Sequence, residues 1–142
     1  MKKEQIIEIL KLMPTYPPQI GYFFKATQHG LGLIEEAKKI AKDVWKQEFC
    51  VIFTNQIDVF DLAALCEPQK DKEVTYIFSD MEKANHKFRD TIFSHFSTNR
   101  SEFLNDKSHV IYIVNPDENE YYKNSWNDDY VMLHSMIFHI EA

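Results

Sequence analysis

The chain has 142 residues, 44% hydrophobic and 27% charged, enough for one globular domain, and no stretch approaches the roughly 18 uncharged apolar residues of a membrane span. Sixteen basic against 22 acidic side chains give a net charge of −6, which repels phosphate backbones at long range and argues against a general nucleic-acid coat protein, leaving only a local basic site open. The opening MKKEQIIEILKL interleaves charged and apolar residues, unlike a secretory leader. With only Cys50 and Cys66 present, the expectation is a cytoplasmic protein with buried, reduced thiols and no disulfide.

Ile6, Ile7, Leu10 and Met13 recur at helical spacing, and Pro14, Pro17 and Pro18 follow, so a short helix is expected over 2–13. From Ile20 to Val44 apolar residues fall three or four apart with Glu35, Glu36, Lys38, Lys39 and Lys42 opposite them. That pattern predicts a long helix over about 18–46, weakened by Gly30 and Gly32. Residues 49–53 alone read as a buried strand, yet Phe49, Ile52, Phe53, Gln56, Phe60, Ala63 and Ala64 continue a helical stripe up to Pro68, and a helix is preferred there.

Val74, Ile77, Phe78, Met81, Ala84, Phe88, Ile92 and Phe96 extend the same spacing and predict a central buried helix over 74–96. The segment HVIYIV at 109–114 is the best strand candidate, without an evident partner strand. Asn115, Pro116 and Asp117 mark a turn, the polar run DENEYYKNS follows, and Tyr130, Leu133, Ile137 and Ile140 predict a final helix. These elements add up to a mainly α single domain over 1–142. Its helical bundle core lies at about 18–98, followed by a carboxy-terminal extension at 99–142 that holds the one short strand.

Within the central segment, Arg89-Asp90-Thr91-Ile92-Phe93-Ser94-His95 has the form Arg, a polar residue, four residues, His. The string KFRDTIFSHF resembles the motif helix of HEPN domains, helical bundles of about this size, in their abortive-infection and toxin-like branches. The resemblance implies a metal-independent endoribonuclease or toxin of a defence or toxin-antitoxin system, with Arg89, Asp90 and His95 as catalytic residues, an RNA substrate, a homodimer and an antitoxin or other protein partner. In such a site His95 would move a proton, Arg89 would hold the scissile phosphate by a bidentate fork, and Asp90 would orient one of them. Six helical residues separate Arg89 from His95 by about 120°, so an isologous dimer would be needed to bring both onto one phosphate.

The plainer reading makes Arg89 and Asp90 a solvated helix surface and His95 a helix-end histidine. His86, one turn before Arg89, is read as a surface histidine that can widen a polar site. His134 and His139 lack the i, i+4 spacing of helical metal ligands, Cys50 and Cys66 form no CxxC, and no metal or cofactor is expected. No Lys-Ser or Lys-Thr of a phosphate loop follows Gly30 and Gly32, leaving helix interruption or close helix approach as their reading. EEAKKIAKDVWK is a solvated amphipathic face, and Asp58 with Asp61 is a pair too common to indicate catalysis. The competing functional reading is a non-catalytic acidic binding protein, such as an immunity, inhibitor or regulatory protein, whose charge suits a basic partner.

Overall fold

The computed structural model describes residues 1–13, 17–116 and 130–142. In chain order the elements are α1 (Lys3–Lys11), β1 (Tyr22–Ala26), α2 (Leu33–Lys39), β2 (Glu48–Phe53), α3 (Val59–Leu65), β3 (Val74–Ser79), α4 (His86–Phe93), α5 (Arg100–Phe103), β4 (His109–Val114), α6 (Tyr130–Leu133) and β5 (Met136–Ile140). Two of the helices, α2 and α4, run on into π-helical turns at Ile40–Val44 and Ser94–Thr98. The strands form one five-stranded sheet, ordered β2-β3-β4-β1-β5, in which every pairing is parallel.

This is an α/β architecture, and it corrects the expectation of a mainly α helical bundle. The reason lies in what flanks a parallel sheet. Parallel neighbours need crossover connections, the helices of those connections cover both faces, and the central strands become continuously apolar instead of alternating. All six residues of β3 and all six of β4 are buried. A run buried on both faces satisfies a helical period and a strand period alike, so 74–79 matched the helical stripe of 86–96 and was joined to it. The segment 49–53, expected as a helix because its apolar residues continue a helical stripe to Ala64, is instead the edge strand β2, whose partner is β3 in the register Phe49 to Thr75 and Phe53 to Ser79.

Alternation does govern the two cores. Phe23, Tyr76, Phe78, Val110 and Tyr112 join Leu62 of α3 and Ile92, Phe93 and Phe96 of α4 and its π turn in one buried cluster. Their strand neighbours Tyr22, Phe24, Ile77, Ile111 and Ile113 join Ile6 and Leu10 of α1 and Leu33, Ala37 and Ile40 of α2 and its π turn in the other. The first two helices therefore cover one face, and α3 with α4 the opposite one.

Several local readings fall in place. The amino-terminal helix is present as α1, the helix 18–46 shrinks to 33–44 behind the strand β1 and the Gly30-Gly32 loop, and 109–114 is a strand with partners on both sides. The expected final helix is a short helical turn, α6, followed by β5. Pro14 and the polar run after Pro116 lie outside the described residues. Cys50 and Cys66 are free and half-buried instead of buried, and burial pushes both thiols up. Among the described residues no helix is long and apolar enough to cross a membrane.

Candidate functional site: the crevice beyond the strand ends

The chain leaves β1 across the face of α1 and α2 and returns from β2 and β3 across the other, so its connections part between β1 and β4. Open parallel sheets take up ligands at such a switch point, in the crevice beyond the carboxyl ends of the strands. A crevice of about 380 Å³ lies there. The loop from Gly30 to Ile34, Phe53 at the end of β2, Ser79 at the end of β3 with Asp80 after it, and Asn115 after β4 contribute to its walls.

The loop after β1 turns through two left-handed glycines, Gly30 at φ 79° and Gly32 at φ 69°, and Gly32 caps α2. Only glycine reaches that conformation without strain, which is the local reason the helical pattern breaks there. Lys3 of α1 braces the loop, its Nζ donating to the Leu31 carbonyl at 3.1 Å.

A strand, a glycine turn and a helix in this order place a phosphate-binding loop in many nucleotide-binding proteins. That loop runs Gly, four residues, Gly, Lys, then Ser or Thr; the lysine reaches the β- and γ-phosphates and the hydroxyl binds Mg²⁺. With Gly32 in the second glycine position, Thr27 stands for the first, Leu33 for the lysine and Ile34 for the hydroxyl residue. Leu33 is 5% exposed and packs in the core of the α1 and α2 face. The cation nearest in sequence, Lys38, pairs with Glu35 at 3.0 Å and lies 5.6 Å from the centre of the Phe49 ring. Lys38 is outnumbered by Glu35 and Asp80 among the ionisable residues of the crevice. The residues present do not fit a nucleoside triphosphate with its metal: the donors that would neutralise phosphate are replaced by alkyl groups.

The far wall is tied up with itself. Asp80, in the left-handed region at φ 53°, accepts from the Ser79 hydroxyl at 3.2 Å and from Asn115 Nδ2 at 3.3 Å. The Asn115 backbone N–H donates to Glu82 Oε1 at 2.8 Å. Burial pushes the Glu82 carboxyl up, against the lowering effect of that hydrogen bond. These contacts pin the end of β4 to the turn after β3. Sequence reasoning missed Ser79, Asp80 and Asn115 because their common position, at or one step beyond the carboxyl end of a strand, is visible only once the strands are known.

The residues singled out from the sequence lie elsewhere, on α4 and its π turn. Arg89 is 3% exposed and its Nη2 donates to His86 Nδ1 at 2.7 Å, whereas Asp90 is exposed. His95 is half-buried; its Nδ1–H donates to the Thr91 carbonyl at 2.9 Å and its ring lies 4.3 Å from Phe103. The step from Arg89 to His95 crosses from α-helix into a π-helical turn, so the uniform rotation used to set them about 120° apart does not apply. His134 and His139 are both exposed, the former with its ring 4.3 Å from Tyr130. Among the described residues no group of three or more His, Cys, Asp or Glu is placed to hold a metal.

No family model and no curated protein matches the chain. Solved structures do. A DNA polymerase III gamma subunit-related protein from Thermotoga maritima superposes with a TM-score of 0.62 at 8% identity, over 96% of this chain and 46% of that one. NtrX from Brucella abortus in complex with ADP gives a TM-score of 0.62 at 8% identity, over 97% of this chain and 34% of that one. A second NtrX structure gives 0.60 at 6% identity, over 97% and 35%. The chain thus spans less than half the length of each of these structures. The parallel sheet and these neighbours overturn the HEPN resemblance, and with it the ribonuclease or toxin function and its defence setting. What the likeness shows is the fold alone, an α/β domain built on a parallel sheet.

Proposed function

We propose that this chain is a non-hydrolysing domain of ATPase-type fold that works by binding other protein chains. The observation that carries the reading is the loop after β1: the backbone turn is kept through Gly30 and Gly32, while Leu33 and Ile34 occupy the positions of the phosphate-binding lysine and the metal-binding hydroxyl. Without a lysine at the position of Leu33 to meet developing charge, phosphoryl transfer loses a main source of its catalysis, which is positioning and electrostatic stabilisation. One neighbour is named as related to a polymerase subunit, which supports a place in a multi-chain assembly. Two free, half-buried thiols support a reducing compartment, and the cytoplasm is part of this reading.

The test is nucleotide binding and turnover by the purified chain. Titration with a fluorescent ATP analogue and Mg²⁺ is expected to show no saturable binding, and phosphate release is expected to stay at the buffer rate. Saturable binding that ADP displaces, or phosphate release that Asp80→Asn removes, would overturn the reading.

A further inference from the structure

We infer that the groove between α3 and α4 is a docking surface for a protein segment carrying large apolar anchors and a carboxylate. The first helix of this pair opens with two adjacent large apolar side chains in solvent, Val59 at 68% and Phe60 at 83% exposure. Single exposed apolar residues are ordinary, but a contiguous exposed patch marks an interaction site. Here the patch continues into a groove of about 430 Å³ whose walls include Val59, Ala63 and Cys66 of α3 and its cap, and Phe88 of α4. In α3, Val59, Leu62, Ala63 and Cys66 stand at positions i, i+3, i+4 and i+7, so one helix face supplies that whole wall. Grooves between packed helices take apolar anchors from a partner chain in this way.

Charge selects the partner. The ionisable side chains lining the groove, apart from the Cys66 thiol, are Lys87 and His95. Lys87 is exposed, and among the described residues its ammonium has neither a hydrogen bond nor an ion pair. His95 spends its Nδ1–H on the Thr91 carbonyl, which leaves Nε2 for a partner. The carboxylates at the start of α3 are engaged with the helix itself: Asp58 Oδ1 accepts from the Asp61 N–H at 2.8 Å, and Asp61 Oδ2 from the Asp58 N–H at 3.2 Å. On the groove wall itself the fixed charge is thus the Lys87 ammonium, although the chain as a whole carries −6. An acidic residue beside the apolar anchors complements it, and a basic one does not.

This deepens the proposed function by naming the surface and the chemistry of its partner. A random peptide library displayed on phage, panned against the whole chain without nucleotide, tests it, so nucleotide binding at the crevice would overturn the earlier reading and leave this one standing. Enriched peptides are expected to pair large apolar residues with Asp or Glu. Synthetic copies should lose about tenfold in affinity against Val59→Ser, as an anchor contact does, and about threefold against Lys87→Glu, as an exposed ion pair does. A peptide with its acid changed to Lys should prefer the Lys87→Glu variant. Val59 is exposed, so its replacement leaves the fold intact, which circular dichroism checks. No enrichment, enrichment of basic peptides, or equal binding to Val59→Ser would overturn the inference. So would self-association in sedimentation equilibrium that Val59→Ser abolishes, since a second copy would then be the occupant.

Discussion

Strand β3 in the interior of the sheet and strand β2 at its edge are each six residues long, run parallel and pair with one another, and both are dominated by apolar side chains. Yet β3 is buried throughout, while in β2 only Ile52 is buried and Glu48 and Phe53 are exposed. Position in the sheet, not composition, sets their environment. In the centre, polar atoms must find partners inside. Gln47 is the hub: its Oε1 accepts from the Thr75 hydroxyl at 2.8 Å and from His109 Nδ1 at 3.0 Å, while its Nε2 donates to the Lys107 carbonyl at 2.7 Å. Tyr112 and Ser97 share a hydrogen bond of 2.7 Å in the same interior. At the edge the solution is charge instead of pairing, with the Lys38 and Lys42 ammonium groups 5.6 and 5.4 Å from the centre of the Phe49 ring.

The contrast is open to direct attack. Replacing Phe78 by Ala in the centre is expected to cost about 3–5 kcal/mol in urea unfolding, the usual loss for a buried Phe; a loss under about 1 kcal/mol would mean the centre tolerates exposure as the edge does. Next in size is an effect of pH. Burial, helped by the nearby Arg100 charge, pushes His109 down to about 3, so the folded state holds it neutral while the unfolded chain takes up a proton below about 6.5. Stability from this group is complete above that pH and falls as pH drops towards 3, by about 1.4 kcal/mol for each unit. Comparing wild type with His109→Gln at pH 7 and pH 5 should show a flatter dependence in the variant, and identical slopes would remove His109 from the account.

Smaller still, Tyr112→Phe leaves the Ser97 hydroxyl without that partner and should cost about 1–2 kcal/mol, with Tyr112→Phe plus Ser97→Ala recovering part of it. At the edge, Phe53→Ser should move stability by no more than about 0.5 kcal/mol, as surface substitutions do. A larger loss would place Phe53 in the core economy of β3 and blur the distinction between the two strands.

Much of the burial was legible before the strands were. Of the residues expected in the core, Ile77, Phe78, Met81 and Ile92 are each 0% exposed, while Phe88 is half-buried. The helix α1, the strand at 109–114 and the amphipathic helix at 33–44 follow from local periodicity, and the missing phosphate-loop lysine after Gly30 and Gly32 was equally plain. The crevice was not legible, because Gly32, Asp80 and Asn115 are brought together only by the order of β1, β3 and β4 in the sheet.

What the sequence by itself determined is which side chains avoid water and where single helices and turns form, since these depend on composition and on contacts a few residues apart. Only the tertiary structure decided that 49–53 and 74–79 are strands. A helix satisfies its backbone within itself, whereas Val74–Ser79 depends on Glu48–Phe53 on one side and His109–Val114 on the other. Two segments that each satisfy a helical period become strands when they meet, and no window of one segment contains the hydrogen bonds that settle it.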